Sequence, residues 1–287
     1  MNRRIAAFSV LVASATFASA QANFIYGLSQ ASAGAKVELV HVNVQSGTQT
    51  NFADLGNIAG SGNGLASVLG TARFYFSAGN KLYGYDHAAP VGQKLKAFTG
   101  NLAVSPDDAA WYQGSYYYIS GANLRKVTPD FATGTFSETI AKTFAGSFST
   151  FGDITFNTTS TNPGDGTLYI SSNGGSYSGI SKYQLGSSNN APTMIAAGVQ
   201  QMQLGFSQDN NLYGVFSGGT TATVEQVFQI NIANGNRTLL STFSNGASVY
   251  IRDAATAPTP PVPEPASMAV LGLGLAALRR RRNAKKN

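Results

Sequence analysis

Two histidines, no cysteine and thirteen acidic side chains are all that this 287-residue chain offers for acid–base, thiol or metal chemistry. A catalytic triad would have to use His41 or His87. His41 stands in VELVHVNV, where alternation with Val40 and Val42 reads as a cross-strand or exposed histidine. His87 follows Asp86 at a turn, and adjacent residues at a strand end point apart, so the two form no dyad. Without cysteine there is no thiol nucleophile, no Cys-ligated zinc and no disulfide. The motifs HExxH, GxSxG and GxxxxGK[ST] are missing as well.

The carboxylates are scattered. Between the chain ends glutamate is limited to Glu38, Glu138 and Glu225, and Glu38 and Glu225 occupy matching points of a repeat. Asp107 and Asp108 in SPDDAAW and Asp165 in NPGDGT lack the ligand periodicity of a calcium loop and read as turn residues. A glycosidase needs two carboxyl groups about 5–10 Å apart, and nothing in the sequence brings a pair together. Trp111-Tyr112 and Tyr116-Tyr117-Tyr118 form the densest aromatic cluster, which reads as packing between strands, with stacking on a sugar face as the alternative. No residue is assigned a catalytic, metal or cofactor role, and no cofactor is expected.

The elements that must position these residues are strands. Charged residues make up only 11% of the chain, while Gly (32), Tyr (13) and Phe (17) are abundant and no long helix-favouring segment falls between Asn23 and Ala255. A phrase built on Leu/Ile-Tyr-Gly recurs at Tyr26, Tyr83, Tyr169 and Tyr213, with a weaker copy at Tyr116-Tyr117-Tyr118. Apolar stretches precede it at Phe74-Tyr75-Phe76, Ile154-Thr155-Phe156 and Leu204-Gly205-Phe206. Val37-Glu38 and Val224-Glu225 each follow their tyrosine by 11 residues, and each runs on to a glycine turn at Gly47 or at Asn234-Gly235, the latter expected as a type I′ hairpin. Four strands per roughly 45 residues is the period of a propeller blade. The reading is an all-β domain over residues 21–255, a β-propeller of five four-stranded blades. It becomes six blades if the 57-residue interval from Tyr26 to Tyr83 hides a divergent one. A β-sandwich is the alternative. Ala247 to Asp253 would be the inner strand that closes the ring.

Both ends carry targeting chemistry. Residues 1–20 have a basic start at Arg3 and Arg4, an apolar run and the small residues Ala18, Ser19 and Ala20, the build of a signal peptide with a short signal helix, read by signal peptidase. Residues 256–262 are a proline-rich linker that favours an extended polyproline-like course. Residues 263–287 hold Pro263, Glu264 and Pro265, an uncharged run from Ala266 to Leu278 and then Arg279, Arg280, Arg281 and Arg282. The arginines mark a cytoplasmic end, and the run is short of the roughly 20 residues of a full membrane-spanning helix.

This ending resembles the PEP-CTERM sorting signal of exported bacterial proteins, on the Pro-Glu-Pro triplet, the apolar run and the arginine cluster in that order. The resemblance implies recognition by an exosortase-type membrane enzyme, transient or permanent anchoring through the short transmembrane helix, and a place in the cell envelope or extracellular matrix. It further implies an association with exopolysaccharide and biofilm material. Polysaccharide or surface proteins are the expected partners of the β domain.

Net charge excludes one class of partner. The chain is +6 with a sequence pI of 9.5. Eight of its 19 basic residues lie in the two targeting ends, however, and the remaining eleven face twelve acids, leaving about −1. No basic stripe exists to release counterions from a nucleic acid. The function expected is a non-catalytic binding or scaffold propeller, with a propeller enzyme acting on glycans or lactones as the alternative.

Overall fold

A computed structural model of the chain describes residues 23–148, 152–158, 164–217, 224–244 and 251–257. The signal peptide with Ala18-Ser19-Ala20, the Pro263-Glu264-Pro265 motif, the arginines 279–282 and the first half of the expected closing strand lie outside the described residues. Among the described residues no helix is long and apolar enough to cross a membrane.

Among the described residues twenty strands fall into five four-stranded antiparallel sheets. The chain runs β1 (Phe24–Gln30), β2 (Lys36–Asn43), β3 (Gln49–Asn57), then β4 (Gly62–Val68), β5 (Arg73–Ala78), β6 (Lys81–Asp86), β7 (Leu95–Ala97). It continues through β8 (Ala110–Tyr112), β9 (Ser115–Ser120), β10 (Asn123–Asp130), β11 (Thr135–Thr143), then β12 (Asp153–Phe156), β13 (Thr167–Ser172), β14 (Gly179–Gln184), β15 (Thr193–Ala197). The last blade is β16 (Gln203–Phe206), β17 (Leu212–Ser217), β18 (Val224–Ile230) and β19 (Arg237–Ser244), and β20 (Ile251–Ala255) returns to pair with β1. The inner strands β20, β4, β8, β12 and β16 follow one another around a ring. The blades number five and surround a centre; they do not form two facing sheets. The first blade is made from both ends of the domain, its inner strand last in sequence.

Strand alternation explains why the ring packs. Successive residues point to opposite faces of a sheet, and each face of a radial blade meets a neighbouring blade. Ile25 joins the cluster against the fifth blade, with Tyr213, Val215 and Val227. Tyr26, one residue on, joins the cluster against the second, with Phe74 and Phe76. Five such clusters fill the five seams.

The recurrent tyrosine is a seam residue. Tyr26, Tyr117, Tyr169 and Tyr213 each lie on the second strand of a blade and pack toward the next one. The copy at Tyr83 is a misregistration, because Leu82-Tyr83-Gly84 lies on β6, the third strand of the second blade. The true counterpart is Tyr75 on β5, which packs against the third blade, and the inner strand is β4 rather than Phe74-Tyr75-Phe76. Adjacent strands of one hairpin carry the same alternation, so the phrase looked alike one hairpin late. With Tyr75 in place the long interval disappears and no sixth blade is hidden. The matching of Glu38 and Glu225 holds: they oppose Ser29 and Ser217 on their second strands.

The turn between third and fourth strands recurs as Asn/Asp-x-x-x-Gly. Gly47, Gly134 and Gly235 donate their N–H to the carbonyls of Asn43, Asp130 and Asn231 at 2.7–2.8 Å. The side chains of Asn43, Asp130 and Asn231 each accept from the N–H two residues on. The hairpin expected at Asn234-Gly235 is present, but its turn is not type I′. Gly235 alone of the two has positive φ, at 70°. An Asx cap and a longer loop replace the two-residue turn.

Gly84, on the third strand of the second blade, admits a close neighbour. A Cβ on Gly84 would stand 2.7 Å from the Phe131 ring of the third blade and 3.0 Å from Phe98. Gly84→Val should therefore cost about 1–3 kcal/mol by overpacking, read as a lowered urea midpoint at unchanged m-value. A midpoint equal to the parent's would show that this seam is loose.

Candidate functional site

The residues with unusual chemistry gather in the central channel, and three of them are aspartates. Asp253 lies in β20, Asp153 opens β12, and Asp108 stands two residues before β8. Each begins a short stretch on an inner strand: Asp253-Ala254-Ala255, Asp153-Ile154-Thr155 and Asp108-Ala109-Ala110. All three are buried, and each must find partners or take up a proton.

Their partners are mostly backbone amides. Asp253 accepts from the N–H of Leu65 in the second blade and, at 2.9 Å, from Ala254. Asp153 makes the equivalent pair of bonds, from Leu204 of the fifth blade at 2.5 Å and from Ile154 at 2.7 Å. Asp108 accepts from Ile119 of its own blade at 2.9 Å. The charge of Asp253 bears on Asp153, so the two carboxyl groups do not ionise independently. Burial first, with mutual charge behind it, pushes Asp153 well above the carboxylate range. Burial does the same to Asp253. Burial drives Asp108 up to about 7, and the adjacent Asp107 adds to the rise.

The closing strand is tied further along. Glu225 of β18, buried, accepts from the N–H of Ile251 and from Ser217 Oγ, both at 2.6 Å, and from Gln49 Nε2 at 2.9 Å. Thr256 lies across the channel, where its carbonyl accepts from Ser67 Oγ. Its Oγ1 bonds Thr155 Oγ1 at 3.1 Å and the N–H of Phe206 at 3.2 Å. Thr256 thus joins three blades across the axis. The space left there, lined by Ser67, Ala110, Trp111, Thr155 and Thr256, is ≈10 Å³, about enough for one water. Ala257 is buried and donates its N–H to the Phe206 carbonyl at 2.9 Å. Thr256 and Ala257 therefore belong to the packed domain, although composition places them in the linker.

The other candidates stand apart from the channel. His41 faces Tyr26 across the β1–β2 ladder, as expected, and packs on Phe24, Tyr26 and Phe52. Burial lowers its pKa. His87 stacks on the far side of the same cluster, 4.8 Å from Phe52, with Nδ1 3.1 Å from Tyr85 Oη. Asp86 turns away from it and pairs with Arg73 at 2.6 Å. Glu38 pairs with Lys36 at 2.6 Å. Glu138 accepts from Tyr118 Oη at 2.5 Å and Arg125 at 3.0 Å, and Asp165 caps its turn through Thr167 N–H at 2.8 Å. Among the described residues no three His, Cys, Asp or Glu side chains form a metal-holding group.

Of the aromatic cluster, Tyr112, Tyr116, Tyr117 and Tyr118 are buried in the blade seams, whereas Trp111 is partly exposed. It stacks flat on Tyr75, with ring centres 4.8 Å apart and planes 3° from parallel. Both line an open groove of ≈560 Å³ with Arg73, Pro129, Asp130 and Phe131. Arg73 lies 4.4 Å over the Phe131 ring.

The fold and its channel define a five-bladed β-propeller closed by its own C-terminal strand. Residues 261–282 match the PEP-CTERM protein-sorting motif, so the chain is an exported protein sorted by exosortase through a membrane-anchored C-terminal tail. The domain is similar in fold to a chain of a nidogen–laminin complex, with a TM-score of 0.50, 12% identity, and coverage of 81% of this chain and 97% of that one. TolB from Acinetobacter baumannii is also similar, at a TM-score of 0.45 and 11% identity over 76% of this chain and 52% of that one. No curated protein sequence matches the chain significantly.

The aspartates make a pH prediction. Their folded pKa values exceed the unfolded value of about 4, so the fold holds protons that the unfolded chain releases. That stabilisation is full below about pH 4 and, for Asp108, gone once pH rises past about 7. Asp108→Asn, neutral at every pH, should flatten the fall in Tm between pH 4.5 and 7.5 by on the order of several degrees. His41 acts in the opposite sense below about pH 6.5, so the comparison is between variant and parent. Parallel Tm profiles for the two would show that Asp108 is charged in the fold.

Proposed function

We propose that the propeller is a non-catalytic binding or scaffold module of the cell envelope or extracellular matrix, working with exopolysaccharide or surface proteins in biofilm-type material. The observation that carries this reading is the continuity of ring and tail. The strand that closes the propeller is the one that leads into the sorting signal, so the exported domain is completed by the segment that addresses it. A second support is the occupation of the channel. Thr256 crosses it, Asp153 and Asp253 accept from backbone amides of neighbouring inner strands, and Asp108 accepts from an amide of its own blade, which is work of assembly.

One observation favours the alternative, an enzyme acting on glycans or lactones. Buried carboxyl groups with raised pKa values are frequent at catalytic centres, and Asp108, Asp153 and Asp253 form such a group. The two readings part on substitution. If the aspartates serve assembly, Asp153→Asn should change Tm and its pH profile and leave binding to envelope polysaccharide unchanged. If they serve catalysis, Asp153→Asn would abolish turnover of a glycan or lactone at little change in Tm.

Sorting is tested by intact-mass analysis of protein recovered from the surface of its native host. The expected mass ends close to Pro263-Glu264-Pro265. A mass that runs through Asn287 would mean that the tail is kept as an anchor and is never processed.

A further inference from the structure

Among the described residues Trp111 is the one aromatic side chain of the inner strands that is left partly exposed. Tyr75 covers one face of its indole, with the planes 3° from parallel and the ring centres 4.8 Å apart. Tyr75 is itself buried and meets the Phe131 ring edge-on, so it backs the indole and forms no part of the accessible surface. No second ring packs on Trp111 among the described residues. The indole is thus held in one orientation before any ligand arrives, which lowers the ordering cost of binding.

The open groove beside Trp111, ≈560 Å³ in volume, is also lined by one charged donor and one charged acceptor, Arg73 and Asp130. The Arg73 guanidinium is fixed by Asp86, through Nε at 3.2 Å and Nη2 at 2.6 Å, and by the Phe131 ring 4.4 Å away. Asp86 takes two N–H groups of the fork, and others remain for a ligand. Asp130 is exposed at the end of β10, and its Oδ1 accepts from the N–H groups of Thr133 at 3.2 Å and Ala132 at 2.9 Å. Hydrogen bonds from Thr133 first hold its carboxyl below the usual carboxylate range. Gly114 lines the groove from the turn after β8, where its φ of 79° suits glycine and no side chain fills the space.

These groups select a ligand class. An anion would meet Asp130 and Asp86, and a cation would meet Arg73. A neutral molecule that donates and accepts, and has an apolar flank for the indole, satisfies all of them. A pyranose ring is such a molecule: its C–H bonds make a flat apolar face, and its hydroxyls both donate and accept. An open groove also takes the interior of a long chain without having to find its end. We propose that the groove at Trp111 is a saccharide subsite, where a neutral hexopyranose unit of a polysaccharide stacks on the indole, accepts from Arg73 and donates to Asp130. The proposal rests on the reading of the propeller as a polysaccharide-binding module and gives that binding a place.

Trp111 is the single tryptophan of the chain, so its fluorescence reports on this groove. The full chain, purified in detergent, is titrated with cellohexaose, mannohexaose, maltohexaose and the host's own solubilised exopolysaccharide, with a galacturonate oligomer as the charged control. At least one neutral saccharide should shift the emission to the blue and lower the acrylamide quenching constant about twofold as the indole is covered. The galacturonate oligomer should change neither. Trp111→Leu and Arg73→Gln, followed by calorimetry, should each raise the Kd on the order of tenfold. Should Trp111→Leu fail to fold, Arg73→Gln, which keeps the fluorescent reporter, still decides. Unchanged Trp111 emission with every neutral saccharide would overturn the proposal, and so would an affinity that Arg73→Gln leaves intact. Retention on the host's insoluble exopolysaccharide separates the two levels. A parent and a folded Trp111→Leu variant retained equally would sink this subsite and keep the polysaccharide-binding function. A parent that is not retained at all would sink both.

Discussion

A propeller has to close, and here closure rests on one five-residue strand. β20 pairs with β1, which lies more than two hundred residues earlier in the chain. The ladder alone is short and carries a bulge between Leu28 and Ser29, so the strand is held from its other sides as well. Glu225 takes the Ile251 amide, Asp253 takes the Leu65 amide, and Thr256 reaches Ser67, Thr155 and Phe206. These bonds tie the first blade to the second, fourth and fifth. The third enters through the seam clusters and through Asp108, whose charge bears on both Asp153 and Asp253.

The cost of this arrangement is electrostatic. Three buried aspartates cannot all be charged at close range in a medium of low dielectric constant. Raised pKa values keep Asp153 and Asp253 from being charged together and so remove the worst repulsion. Backbone amides satisfy the remaining lone pairs, and a carboxylate bonded to amides is among the stronger hydrogen-bond arrangements a protein can build. Removing one partner would leave the other buried and unsatisfied, which is more damaging than the bond is favourable. The ring is therefore specific and cooperative at its centre, while its edges, such as the half-exposed β11, carry little.

Much of this was legible in the sequence, and the failures have physical causes. Strand chemistry and the 45-residue period were enough for a five-bladed propeller, because the seam tyrosines at Tyr26, Tyr117, Tyr169 and Tyr213 recur for a packing reason. The second blade was misread because β5 and β6 both alternate around a tyrosine, and alternation does not distinguish neighbouring strands of a hairpin. The turn at Asn234-Gly235 was located correctly and typed wrongly, since the Asx cap from Asn231 lies outside the dipeptide signal. The aspartate trio was missed although a trace was present: Asp-Ala-Ala occurs at both 108–110 and 253–255. Asp108 was taken for a turn residue, and Asp153 carries the larger Ile154 in the same frame. Only pairing in three dimensions shows that all three stand on or just before an inner strand. The groove at Trp111 could not be read at all, because it is lined by residues 73–75 and 111–132 of two blades that only the packed ring brings together.

Native-state hydrogen exchange on the amides that meet the central carboxylates tests the account most directly. If closure depends on β20 and its carboxylate partners, the N–H groups of Leu65, Leu204, Ile251 and Ala254 should exchange only with global unfolding, at one common free energy. Exchange of Ile251 and Ala254 at a much lower free energy than Leu204 would contradict it. The last strand would then be a latch that opens by itself, and the ring would be held by its apolar seams alone.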